Sequence, residues 1–214
     1  MDLTVKDNFF KDPQIVRDLA LSLDLSTWTI SNTFDSPQGW RGMRSLPLRN
    51  YKNKILNSIS QQIFNYCWIV QNLSNWRYPS WEREFEPNTA LSEPMITTYF
   101  HYNPETIKDT LENYPLRKYH QDFISCAGVI YLNPFPLSSG GTSILDGINN
   151  KIINVKNKYN RFIAYDGYQL HAPSKGFGNS PDTNRLTLTF FIHEKKDRSQ
   201  YEPDLNVTDY IPAK

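Results

Sequence analysis

Two cysteines in 214 residues are too few for a disulfide scaffold. Cys67 and Cys126 stand far apart, form no Cys-x-x-Cys pair, and each lies in an apolar run. Both read as buried free thiols. No apolar run approaches the ~18 residues that a membrane-spanning helix needs. The opening Met1-Asp2-Leu3-Thr4-Val5-Lys6 lacks the apolar stretch of a secretion signal, so the expectation is a cytoplasmic chain without a membrane partner. Without that route, the sequons at Asn72 and Asn206 read as unglycosylated. An excess of one charge is also missing. Lys and Arg number 23 against 22 Asp and Glu, a net charge of +1, which leaves no polyanion footprint and no expected nucleic-acid partner. Apolar material is plentiful: 39% hydrophobic and 14% aromatic residues fill a core and exclude intrinsic disorder.

The front third has helical periodicity. Asp12 before Pro13 is an N-cap with proline at the first helical position, and Ile15, Val16, Leu19, Ala20 and Leu23 follow at helical spacing. A helix is expected over about 13–23. A second is expected over about 50–66, where Ile55, Leu56, Ile59, Ile63 and Phe64 share a stripe. From about residue 77 the pattern turns to short runs rich in Thr, Ile, Tyr and Phe between Pro, Gly and Asn clusters. Strands are expected at 95–102, 120–132, 151–155, 162–165 and 186–193, and a hairpin with its flanks at 149–160. No helices alternate with these runs, which suits an antiparallel sandwich or jelly roll. The fold class is therefore mainly β with N-terminal helices (α+β). It forms one domain over 1–214, with a helical elaboration over about 1–76 and a β core over about 77–200.

Four histidines are present: His101, His120, His171 and His193. His120-Gln121-Asp122 opens an expected strand, where residues i and i+2 point the same way and can reach one metal ion. His171 follows 49 residues after Asp122. Two His and one carboxylate with open positions make the facial triad of non-haem Fe(II) oxygenases. Arg185 then opens a strand, with the Thr187 hydroxyl on the same face. A guanidinium and a neighbouring hydroxyl are a grip for a carboxylate. By themselves, His101 and His193 read as ordinary strand histidines, with His101 able to face a pocket. Tyr99, Tyr102 and Tyr119 read as core or rim residues that could line a co-substrate site. Arg44 is a weaker candidate for reaching a substrate.

In this order of motifs the chain resembles the Fe(II)/2-oxoglutarate-dependent oxygenases, especially their prolyl-hydroxylase-like branch. The resemblance covers about 95–193: His120-x-Asp122, the strand Gly128-Val129-Ile130-Tyr131-Leu132-Asn133, the turn Ser139-Gly140-Gly141-Thr142, then His171 and Arg185-x-Thr187. The opening Asp7-Asn8-Phe9-Phe10-Lys11-Asp12-Pro13, with Gly42-Met43-Arg44, resembles a microbial and viral subgroup of that superfamily. The resemblance implies a double-stranded β-helix that holds Fe(II) through His120, Asp122 and His171. It implies 2-oxoglutarate held by Arg185 and Thr187 with help from Tyr131, and O2 as oxidant. The implied activity is a dioxygenase that hydroxylates a protein side chain, peptide or small molecule and releases succinate and CO2. Two departures bear on chemistry. Phe191 stands where nucleobase-demethylating relatives carry a second Arg, which argues against nucleic-acid repair. Asp122 is retained where halogenating relatives have a small residue, which favours hydroxylation. The gap of 14 residues from His171 to Arg185 is long for the family, and its glycine-bearing loop reads as a substrate lid or a long hairpin. Two other classes remain: a cupin-like metal enzyme without 2-oxoglutarate, and a non-catalytic jelly-roll binding module.

Overall fold

A computed structural model describes residues 3–31, 42–70, 95–103, 119–122, 124, 126–137, 140–146, 151–174, 176–180 and 182–193. Chain order begins with strand β1 (Thr4–Lys6) and helix α1 (Pro13–Ser22). The Asp12 carboxylate caps α1 by accepting from the Ile15 amide at 3.4 Å. Strands β2 (Thr29–Ser31) and β3 (Gly42–Arg44) follow, then helix α2 (Lys54–Val70). The second helix starts later than the expected residue 50 because a 3₁₀ turn, Leu48–Tyr51, ends on Lys52 in the left-handed region at φ 50°. Asn53 then caps the true start, accepting from Ile55 at 2.8 Å and Leu56 at 3.3 Å. No helix among the described residues is long and apolar enough to cross a membrane.

The remaining elements are strands: β4 (Met95–Asn103), β5 (Cys126–Tyr131), β6 (Thr142–Asp146), β7 (Lys151–Val155), β8 (Phe162–Tyr165), β9 (His171–Pro173) and β10 (Arg185–His193). All pairings are antiparallel. Seven strands form one sheet in the order β1-β8-β5-β10-β4-β3-β2, and three form a second in the order β7-β6-β9. The expected strand over 120–132 is two pieces. His120 makes an isolated bridge with His171, in the second sheet, while β5 begins only at Cys126 in the first. From β5 onward consecutive strands change sheet except β6 and β7, which are neighbours in the small sheet. The expected hairpin over 149–160 is displaced: β7 pairs back onto β6 at 142–146, the chain after β7 crosses to β8 in the large sheet, and residues 147–150 lie outside the described ones. So do both sequon asparagines and the boundary near residue 76.

The period of two along a strand sorts the core into layers. Leu186, Leu188, Phe190 and Ile192 of β10 lie on one face with Phe100, Ile130, Phe162 and Ala164, and pack against Val16 and Ala20 of α1 and Leu56, Ile63 and Phe64 of α2. The helices thus cover the outer face of the large sheet. Cys67 and Cys126 are both buried free thiols in this layer, and burial together with Cys126 alongside pushes the Cys67 thiol up. The opposite face carries Ala127, Val129, Tyr131, Ile163 and Tyr165, packed on Ile144 and Val155 of the small sheet.

The N-terminal segment is tied to this frame from far along the chain. The Asn160 side chain accepts from the Phe10 amide at 2.9 Å and donates to the Phe10 carbonyl at 2.8 Å. Phe9 stacks on Phe162 with ring centroids 4.6 Å apart. Asp7 pairs with Arg161 at 2.6 Å and Lys158 at 2.7 Å, and these two cations hold its carboxyl well below the usual carboxylate range.

Candidate metal centre

Backbone bonds bring the three expected ligands together. His120 and His171 exchange amide–carbonyl bonds of 2.9 and 3.0 Å, and the Asp122 amide donates to Gly167 at 2.8 Å. One Asp122 oxygen lies 3.6 Å from Nε2 of His120, and the other lies 3.1 Å from Nε2 of His171. One ligand atom from each of the three falls within 4.8 Å of the others. Two ligands about 2.1 Å from a metal and at right angles are about 3 Å apart, so this spacing suits one ion. Nδ1 of His171 lies 2.9 Å from the Gln169 carbonyl. A carbonyl only accepts, so Nδ1 carries a proton there, and Nε2 is the ring atom turned towards Asp122. Tyr165 flanks the set with its ring 4.6 Å from His171, and burial pushes its phenol well up, with the Asp122 charge adding to the effect.

Register fixes the second half of the site. Thr187 of β10 pairs with Tyr131 of β5 on one side and His101 of β4 on the other, and His101 pairs with Arg44 of β3. The four residues form one row across the inner face. Arg185 shares that face and is 4% exposed. Its Nε donates to the Gly140 carbonyl at 2.7 Å and its Nη2 to Gly141 at 3.3 Å, and no described carboxylate pairs with it. Burial pulls its pKa below the usual guanidinium value. The Thr187 hydroxyl is fully buried without a partner among the described residues. Tyr131 donates to the Thr142 hydroxyl at 2.8 Å, and its ring centre lies 5.9 Å from the Arg185 guanidinium.

A buried cation without an anion and a buried hydroxyl without a partner are each costly. A ligand carboxylate lying between them satisfies both, so these two residues fit a carboxylate.

The sequence reading underrated two residues. His101 faces the site rather than serving as an ordinary strand residue. It accepts a hydrogen bond from Nε of Arg44, and burial, reinforced by the Arg44 and Arg185 charges, holds its pKa well below the usual histidine value. Arg44 sits in the corner of Tyr99 and Phe191, 4.9 and 5.6 Å from their ring centres, and burial pulls it down to about 10. Cross-strand register would have found both, but sequence spacing carries no register. Tyr102 faces the helix layer instead, against Trp28. The side chain of His193 lies outside the described ones.

The long β9–β10 connection is anchored. Phe177 is buried, Arg17 of α1 donates to the Asp182 carbonyl at 2.6 Å, and the Thr183 hydroxyl accepts from the Asn179 and Ser180 amides at 3.2 Å. The Arg185 amide bonds the Phe177 carbonyl at 2.9 Å. These ties hold the described part of the loop to α1 and to the start of β10.

No family model matches the sequence, and no curated protein matches it significantly. Solved structures do match. A Pseudomonas putida prolyl-4-hydroxylase aligns at a TM-score of 0.53 and 12% identity, over 91% of this chain and 94% of that one. A Trichoplax adhaerens prolyl hydroxylase, solved with a hypoxia inducible factor oxygen degradation domain peptide, aligns at 0.55 and 12%, over 94% and 88%. The non-heme alpha ketoglutarate dependent carbocyclase SnoK from nogalamycin biosynthesis aligns at 0.56 and 9%, over 90% and 79%. At these identities the likeness is one of fold, and the fold this chain shares is that of prolyl hydroxylases and other non-haem 2-oxoglutarate-dependent enzymes.

Proposed function

We propose that the chain is an Fe(II)- and 2-oxoglutarate-dependent dioxygenase that hydroxylates a protein side chain, peptide or small molecule. In this reading residues 1–214 form one domain, a double-stranded β-helix braced by N-terminal helices. The strand alternation between two antiparallel sheets supports that architecture. The buried free thiols suit a cytoplasmic setting. Phe191, in place of a second Arg, speaks against a nucleic-acid substrate.

The functional reading rests on the His120, Asp122 and His171 cluster, together with the buried Arg185 and the Thr187 hydroxyl, unpartnered among the described residues, on the inner face of the large sheet. A cupin-like metal enzyme has no use for the second pair. His120, Asp122 and His171 would hold the iron on one face and leave its other positions open. Bound there, iron supplies the oxidising chemistry that couples loss of CO2 from 2-oxoglutarate, giving succinate, to insertion of an oxygen atom from O2 into a C–H bond. The chain supplies binding and orientation. Arg185 and Thr187 grip the far carboxylate, and Tyr131 backs the guanidinium with its ring. The Gln169 carbonyl keeps the proton on Nδ1 of His171, so Nε2 stays a lone-pair donor. Neutral His101 accepts from Arg44 and adds no third positive charge between the two arginines.

Anaerobic titration with Fe(II) and 2-oxoglutarate tests this. A weak visible charge-transfer band near ~500 nm is expected only when the oxoacid chelates iron at an open facial triad. Iron binding without the band would favour the cupin-like enzyme, and no iron binding would favour a binding module.

A further inference from the structure

We propose that Asn157 is a positioning residue for Arg185. It acts through the Gly140 carbonyl and so tunes the pocket's affinity for 2-oxoglutarate; that last step rests on the function proposed above. Asn157 follows β7 by two residues and is 4% exposed. Its Nδ2 donates to the Gly140 carbonyl at 3.3 Å, the same oxygen that takes Nε of Arg185 at 2.7 Å. A carbonyl can only accept, which fixes the amide nitrogen, not the oxygen, against Gly140.

A second contact joins the same segments. A Cβ on Gly141 would meet the Val155 carbonyl oxygen at 1.9 Å and the Asn157 amide at 3.0 Å. The Gly140–Gly141 turn is therefore seated directly on the backbone of 155–157, closer than any side chain allows. Both glycine carbonyls face Arg185, and together they take the Nε–Nη2 edge of its guanidinium. The other edge, Nη1–Nη2, is then the one presented to a carboxylate. Two consecutive glycines are the most freely rotating backbone in the chain. Among the described side chains, only Asn157 and Arg185 bond the Gly140 carbonyl, so without the Asn157 amide its direction is set by Arg185 alone, the group that needs aiming.

Two readouts separate this positioning role from general damage. The first needs no metal or oxoacid: hydrogen exchange of the Arg185 Nε–H, followed by ¹⁵N NMR and assigned by its loss in Arg185→Lys. Protection is expected in the wild type, with exchange about tenfold faster in Asn157→Ala and in the isosteric Asn157→Asp, which lacks the donor. The second is 2-oxoglutarate binding to Mn(II)-loaded protein. Losing one neutral hydrogen bond's worth of ordering should weaken it by roughly three- to tenfold. Mn(II) affinity should stay within about twofold, because no ligand has moved. In turnover, KM for 2-oxoglutarate should rise while kcat at saturation holds.

An unprotected Nε–H in the wild type, or unchanged exchange in both variants, overturns the proposal. Parallel loss of Mn(II) also overturns it, by making Asn157 a general structural residue. Wild-type protein that binds Mn(II) but no 2-oxoglutarate would instead refute the proposed function, and the exchange measurement would still decide the role of Asn157.

Discussion

Replacing Arg185 probes the co-substrate pocket most directly. Its guanidinium is buried, carries no described carboxylate, and lies beside the unpartnered Thr187 hydroxyl. A charge-assisted hydrogen bond contributes about 1.5–3 kcal/mol, so a two-bond fork contributes about 3–6 kcal/mol to holding a carboxylate. At 1.4 kcal/mol per factor of ten, Arg185→Ala should weaken 2-oxoglutarate by about 10²–10⁴-fold. Arg185→Lys keeps the charge without the planar fork, and should stand about midway on a logarithmic scale. Fe(II) affinity should hardly change, since Arg185 is no ligand. The unliganded protein should melt near the wild-type temperature, because removing an unpaired buried charge relieves a desolvation cost that offsets the lost packing. Separate titrations of metal and oxoacid, with a thermal melt of each variant, check all three. Equal 2-oxoglutarate affinity in the three proteins would move the carboxylate anchor elsewhere and revive the cupin-like alternative. Loss of iron in Arg185→Ala would show the residue to be structural.

Thr187→Val removes a hydroxyl that has no described partner, so the unliganded fold should be unharmed or slightly stabilised while 2-oxoglutarate binds roughly tenfold more weakly; a drop in melting temperature with unchanged affinity would contradict this. Asp122→Ala should abolish iron binding and His101→Gln should retain it, as read by metal titration, and the opposite order would dissolve the ligand assignment. The folded pKa of His101 is depressed, so its contribution to stability is complete above the unfolded value near ~6.5 and is lost as pH falls below it. Denaturant melts should show that loss in the wild type and less of it in His101→Gln. Phe190→Ala, under α1 and α2, should cost about 3–5 kcal/mol in the same melts, and a cost below about 1 kcal/mol would mean that the helices do not depend on this layer.

The candidate ligands and the Arg185–Thr187 pair were legible because each rests on a spacing of two residues, which is local. Arg185 and Thr187 share a face of β10 by being two residues apart, whereas His120 and Asp122 converge through a single bridge to His171 and the Asp122 amide bond to Gly167. The strands 151–155 and 162–165 stood out because both are bounded by turn residues, and their limits agree with the structure. What escaped was short or non-local. β1 and β9 have three residues each, too few to display a period. β6, Thr142–Asp146, was hidden by its nearness to the Gly140–Gly141 turn. The start of α2 depended on one left-handed backbone position at Lys52. The inward aim of His101 and its bond to Arg44 depend on pairing between strands some 57 residues apart.

The clamp between Phe10 and Asn160 also sets an order of events at the ribosome. Its partners are 150 residues apart, so at about 5–20 residues per second the first waits roughly 8–30 s for the second to be made. Throughout that interval Phe9 and Phe10, together with the apolar stripe of α1, have no sheet to cover. A segment synthesised 150 residues ahead of its partner is among the last to dock, and its unfinished state is the one a chaperone would meet. A circular permutant that begins near residue 151 and joins the native termini by a flexible linker would present Asn160 before Phe10, shorten that exposure, and raise soluble yield if this delay limits folding.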